Sequence, residues 1–313
     1  MVDGLLRHIA ARGARGAVVP FARIADLKQD MQLLKDGEFH TSWLDRMANH
    51  IAQEENKFLP DSVNFVPRSL ISIAIPSPKL ILPFTYRGKV VLCTVPPHYQ
   101  VTASAIDDGE PERYIQEYLV PLGYHAAMTV TLSQKILAVH CGLARYGRNN
   151  IAYHEEFGSH MLLMSYVSDM PCVEDNWLPL RRMERCDSCR ICVESCPTGA
   201  LNGNRNLVDA DRCITAYNEN LGDFPDWLDN QWHNSLTGCM ACQEKCPANA
   251  HNAGNAVTRE PFIEEETREI LHHKSDTPYT KTVAEKLAAT GISQDFLAVF
   301  PRNLALLLAR EAF

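Results

Sequence analysis

Eight of the eleven cysteines fall between Cys186 and Cys246, and their spacing constrains this chain more than any other feature. The first run reads Cys186-x2-Cys189-x2-Cys192-x3-Cys196-Pro197. Three thiolates at this spacing close around one corner of an iron–sulfur cube, and the fourth, ahead of a proline, ligates a neighbouring cube where two are present. A second set is therefore required, and Cys213, Cys239, Cys242 and Cys246 ahead of Pro247 supply it. The economical assignment places Cys186, Cys189, Cys192 and Cys246 on one [4Fe–4S] cluster. Cys196, Cys213, Cys239 and Cys242 then hold the other. Pro197 and Pro247 suit the ends of ligand loops, which need no N–H there. Two zinc sites are the competing reading, but structural zinc pairs separate CxxC knuckles, and CxxCxxCxxxCP follows the iron–sulfur pattern. Cys213 lies well upstream of Cys239, and the loop between them, containing Trp227–Trp232 (WLDNQW), stands where a third close cysteine is usual. That loop is a candidate to cover a cluster or to contact a cofactor.

An odd cysteine total, tight clustering and no apolar signal core argue for metal ligation over a disulfide framework. Cys93 and Cys172 read as structural thiols, and Cys141 as a core or pocket-lining one. Lys+Arg 30 against Asp+Glu 38 leaves a net charge of −8, which disfavours nucleic-acid binding by bulk charge. No segment reaches about 18 uninterrupted apolar residues. The expectation is a cytoplasmic protein with no membrane insertion. Neither GxGxxG nor GxxxxGK[ST] occurs, so a nucleotide loop has no support.

Hydrophobic periodicity predicts an α/β domain over residues 1–170. Helices are expected at Val2–Ala11 and Phe39–Ala52, in a first 60 residues that look mainly helical, and again at Pro111–Leu122 and Thr129–Val139. Strands are expected at Ser69–Ile75, in the tract KVVLCTVP from Lys89, and at Met161–Asp169. Residues 171–255 form a ferredoxin-like double [4Fe–4S] domain. Residues 256–313 form a helical C-terminal extension, with helices at Glu264–His272, Lys281–Thr290 and Asn303–Ala312.

Cys186–Leu201 (CDSCRICVESCPTGAL), Asp211–Glu219 (DRCITAYNE) and Gly238–Asn249 (GCMACQEKCPAN) resemble the double-cluster domain of the cobalamin-dependent epoxyqueuosine reductases. That domain is also similar to the one in reductive dehalogenases. Upstream, Ala138–Met170 resembles the family segment of the form AERAGLGWIGKNT, so the likeness covers roughly residues 60 to 250. It implies a nitroreductase-like α/β domain that holds a base-off corrinoid beside one cluster, with electrons passing through both clusters to it. By the same resemblance Gly142, Gly147, Arg148, Asn149, Asn150 and Ile151 border the corrinoid, with Arg148 in place of the customary Lys. Read on its own, Gly-Arg-Asn-Asn is also an ordinary turn composition.

Two departures stand out. The family carries a catalytic Asp shortly before this segment, and counting back from Cys141 puts Met128 in its place. A methionine cannot exchange the proton, so no catalytic residue is assigned. Tyr146, Tyr153, His140, His154 and His125 are candidate proton donors. The family's helical-repeat tail is also not matched by the short stretch after the clusters, which, with the charge, disfavours tRNA as a substrate. The sequence is thus read as an iron–sulfur oxidoreductase that passes electrons from a low-potential donor such as ferredoxin or flavodoxin to a bound corrinoid. The alternatives are an electron-transfer protein or reductive activator serving a corrinoid protein, a flavin-linked reductase using FMN, and, least favoured, an epoxyqueuosine reductase.

Overall fold

Runs of β-branched and aliphatic residues pair into sheets because alternate side chains can be buried while every backbone amide finds a partner. The computed structural model describes residues 1–36, 59, 63–100, 110–129, 132–202, 207–274 and 277–310. In chain order the strands are β1 (Arg15–Pro20), β2 (Ser69–Pro76), β3 (Lys79–Tyr86), β4 (Lys89–Val95), β5 (Ala126–Met128), β6 (Arg145–Tyr146), β7 (Ala152–Tyr153), β8 (Met161–Ser168) and β9 (Ala256–Thr258). The helices are α1 (Val2–Ala10), α2 (Ile24–Asp36), α3 (Glu110–Leu119), α4 (Gln134–His140), α5 (Ile191–Glu194), α6 (Ile214–Asn218), α7 (Ala241–Glu244), α8 (Glu264–Leu271), α9 (Lys281–Ala288), α10 (Gln294–Leu297) and α11 (Phe300–Arg310). The chain divides into two compact units. One comprises Met1–Pro76, Gly109–Arg190 and Gly203–Asp211, the other Ser77–Asp108, Ile191–Asn202 and Arg212–Phe313.

In the first unit an antiparallel sheet runs in the order β1-β2-β8-β5. Leu70, Ala74, Leu163 and Val167 lie on one face and pack with Leu27 and Met31 of α2 and with Ile136 to Val139 of α4. The opposite face takes α1 at Gly16, where an added Cβ would meet Ile9 Cδ1 at 3.0 Å. The sheet is therefore covered on both sides, and β2 and β8 read as nearly unbroken buried strands. Among the described residues of the first 60, helices Val2–Ala10 and Ile24–Asp36 predominate as expected, and the addition is β1 at Arg15–Pro20, where Gly16 and Pro20 hide the strand pattern. The expected helix from Thr129 begins only at Gln134, because Thr129 donates its amide to the Ser165 carbonyl and prolongs the β5 edge. The helix expected at 39–52 lies outside the described residues.

In the second unit β3 and β4 form a hairpin, and β9 joins β3 in parallel. Strand β3 has no counterpart in the sequence reading, since Pro76, Pro78 and Pro83 look like breakers. Pro83 has no N–H to donate, but it stays within the strand and its carbonyl accepts the Phe262 N–H at 2.8 Å. Leu80, Leu82, Phe84, Cys93 and Val95 pack with Phe262, Ile270, Val283, Leu287, Phe300 and Leu304. Each such fully buried side chain contributes about 1.5–3 kcal/mol. The C-terminal helices thus share one core with the 79–95 hairpin, so the compact units cut the chain differently from the segments 1–170, 171–255 and 256–313. Among the described residues no helix is long and apolar enough to cross a membrane.

Candidate iron–sulfur and cofactor site

All eleven cysteines are free thiols. The ligand runs fold as tight loops that open into the single-turn helices α5 and α7. After Cys246, Pro247 starts a 3-10 turn to Asn252, and the Cys246 amide donates to the Gln243 carbonyl. Cys186 and Cys192 are buried, and the other six ligand candidates are half-buried.

Within the second unit Cys196, Cys213 and Cys239 lie within electrostatic reach of one another. Burial pushes the Cys213 thiol up to about 11, and charge on Cys239 and Cys196 adds to the shift. Burial also raises Cys239, against the opposing hydrogen bond from Asn234. Neighbouring half-buried thiols that resist ionisation suit a polycation that would neutralise their thiolates, and this donor set fits an iron–sulfur cube. Among the described residues no three His, Cys, Asp or Glu side chains converge on a position for a single metal ion.

The 142–151 tract is a strand hairpin. Gly142 takes φ +75° just after α4, and the turn between β6 and β7 is closed by Gly147 N–H to Ile151 O at 2.7 Å and Asn150 N–H to Gly147 O at 3.1 Å. A Cβ on Gly147 would sit 2.4 Å from Asn149 Oδ1 and 2.6 Å from Tyr153 Cε2, so only glycine fits. Asn149 is buried and donates to the Tyr153 hydroxyl at 2.8 Å.

Arg148 is buried too, and its guanidinium lies on the first cysteine loop. Nε donates to the carbonyls of Cys186 and Cys189, both at 3.1 Å, and Nη2 to those of Cys186 and Asp187. The structure therefore gives Gly142, Gly147, Arg148 and Asn149 internal roles in the turn and the loop. Asn150 and Ile151 keep half-exposed surface at the hairpin tip.

The remaining candidates are also placed. His140 Nδ1–H donates to the Leu178 carbonyl, its Nε2 faces the Asp30 carboxylate at 2.8 Å, and its ring stacks on Trp177. Burial, and then the Asp30 charge, raise Tyr146 above the usual phenol range. Burial lowers His154, with Arg15 contributing. His125 is tied to Asp169 at 3.0 Å, and Met128 is partly exposed on β5. Cys141 is buried and pushed up to about 12, an inert thiol, and Cys93 lies in the second core. A cavity of about 430 Å³ in the second unit, lined by Tyr86, Arg87, Leu271, His272, Ala305, Leu308 and Ala309, includes none of the predicted site residues.

Sequence reasoning missed the contact of Arg148 with the cysteine loop and the bond of Asn234 to Cys239. Arg148 lies in the segment likened to a corrinoid border, which carries no sign of the cysteine loop, and the only local signal for Asn234 is its place a few residues ahead of a CxxC.

Residues 185–249 match the family described as a 4Fe-4S double cluster binding domain. An epoxyqueuosine reductase from Staphylococcus aureus is 35% identical over 121 residues, 39% of this chain and 30% of that protein. One from Pseudomonas aeruginosa is 30% identical over 187 residues, 55% of this chain and 50% of that protein. The matched segments thus span between about a third and a half of these relatives. The solved structure of the Bacillus subtilis epoxyqueuosine reductase superposes with a TM-score of 0.66 at 21% identity, covering 98% of this chain and 80% of that one. The chain carries a 4Fe-4S double cluster binding domain on an α/β fold like that of the epoxyqueuosine reductases, and it resembles that family.

Proposed function

We propose that the chain is a reductase in which two [4Fe–4S] clusters relay electrons from a low-potential donor of the ferredoxin or flavodoxin kind to a corrinoid. The observation that carries the reading is the set of eight cysteines in the double cluster domain. When bound, the clusters supply one-electron transfer and the corrinoid a strong reductant for the substrate. Cys186, Cys189, Cys192 and Cys246 hold one cluster, and Cys196, Cys213, Cys239 and Cys242 the other. Arg148 fixes the loop of the first set. Asn150 and Ile151 offer an amide and an apolar side chain at the hairpin tip, a pairing suited to the edge of a macrocycle with amide arms. Similarity to epoxyqueuosine reductases supports the corrinoid.

The names of the relatives favour a second reading, reduction of epoxyqueuosine in tRNA. The net charge of −8 opposes it. Anaerobically purified protein should hold about eight iron and eight sulfide per chain. It should then bind cobalamin tightly, with the EPR signature of a base-off corrinoid. Binding of FMN alone would move the reading to a flavin reductase, and binding of neither to electron transfer or activation of a corrinoid protein. Turnover of epoxyqueuosine tRNA by the loaded protein would establish the second reading.

A further inference from the structure

The loop ahead of Cys239 is held in a buried polar lattice. Asn218 Nδ2 donates to the carbonyls of Gly238 (2.8 Å) and Ser235 (3.4 Å), and Asn303 Nδ2 to those of Asn218 (2.9 Å) and Leu236 (2.8 Å). On this support the Asn234 amide is bonded at both ends. Its Oδ1 accepts the Met240 N–H at 2.8 Å, while Nδ2 donates to the Trp232 carbonyl and to Cys239 Sγ, each at 3.2 Å. A backbone N–H can only donate, so Met240 decides which end of the amide is oxygen, and the NH2 must face the sulfur. A second polar group, the buried Thr198 hydroxyl, lies 3.6 Å from Cys196 Sγ.

We propose that Asn234 is a potential-setting residue: its N–H···S bond to Cys239 raises the reduction potential of the cluster held by Cys196, Cys213, Cys239 and Cys242. This rests on the two-cluster reading above. Uptake of one electron by a [4Fe–4S] centre adds negative charge to the ligand sulfurs and breaks no bond to the protein. A donor aimed at one of those sulfurs therefore stabilises the reduced form more than the oxidised. Thr198 acts in the same direction at Cys196.

The test is an anaerobic dithionite titration of the full chain followed by EPR, with iron content measured in parallel, for the wild type, N234L and N234D. N234L should keep its iron and shift one cluster's midpoint to lower potential, leaving the other in place. N234D keeps an oxygen for Met240 but loses the donor, and should shift the same cluster further. If N234L loses the cluster, N234D decides. Full iron with both midpoints unchanged overturns the inference and leaves the two-cluster reading intact. A wild type without cluster signals overturns that reading and the inference with it.

Discussion

Replacing Arg148 by methionine should loosen the first cysteine loop far more than replacing it by lysine. The side chain is 9% exposed and serves three carbonyl acceptors, on Cys186, Asp187 and Cys189. Only Cys186 among these is buried, so its carbonyl loses its Arg148 partners with no water to replace them. An acceptor stranded in this way costs about 1–3 kcal/mol, and the two that water can reach lose about 0.5–1.5 kcal/mol each. The local cost of Arg148→Met is therefore about 2–6 kcal/mol. Lysine keeps the charge but not the planar fork, and a single ammonium cannot repeat the Nε and Nη2 pattern, so Arg148→Lys should recover about half of it.

Hydrogen–deuterium exchange of amides 185–190 reads this directly, since about 1.4 kcal/mol is a factor of ten in local opening. Protection should fall between about thirtyfold and about twenty-thousandfold in the methionine variant, and by a geometrically intermediate factor in the lysine variant. The chain's own amides outside that loop serve as the internal control. Unchanged protection at 185–190 in Arg148→Met would refute the reasoning, because the buried carbonyl would then have found another partner at no cost.

Three further predictions concern other residues. Cys196→Ser should damage the cluster of Cys213, Cys239 and Cys242, and Cys246→Ser that of Cys186, Cys189 and Cys192. EPR of each variant checks this, and damage confined to the nearest run of cysteines would contradict the crossed assignment. His233 is buried, donates from Nδ1 to Asn218 Oδ1, and is lowered to about 4 by burial and then by Arg302 and Arg310. Between pH about 6.5 and 4 the unfolded chain binds a proton there that the native chain does not, so stability should fall by about 1.4 kcal/mol per pH unit on acidification. The difference between wild type and His233→Gln in denaturant midpoint across that window measures the contribution. Gly147→Ala should destabilise the protein by about 1–3 kcal/mol through the overlap with Asn149 and Tyr153, read as a lower melting temperature.

The amino-acid sequence by itself showed the double cluster domain and much of the regular structure, because both are local. Iron–sulfur loops need their cysteines a few residues apart, and the strands at Ser69 and Met161 and the helices after Glu264 carry periodic burial within short windows. It was also enough to recognise the resemblance to epoxyqueuosine reductases, whose likeness is concentrated in those same loops.

The tertiary structure alone decided where isolated polar side chains end. Arg148 read as a cofactor contact in a turn, yet packing brings its guanidinium onto carbonyls some forty residues further along. Asn234 carried no pattern at all until folding placed its amide beside Cys239. Strand β3 was hidden by prolines, of which Pro83 sits inside the strand with its carbonyl accepting the Phe262 N–H, and the hairpin it forms joins the core of the C-terminal helices. Spacing reports what neighbours along the chain can do together. A hydrogen bond between distant segments depends on which surfaces pack, and that is settled by burial summed over the whole core.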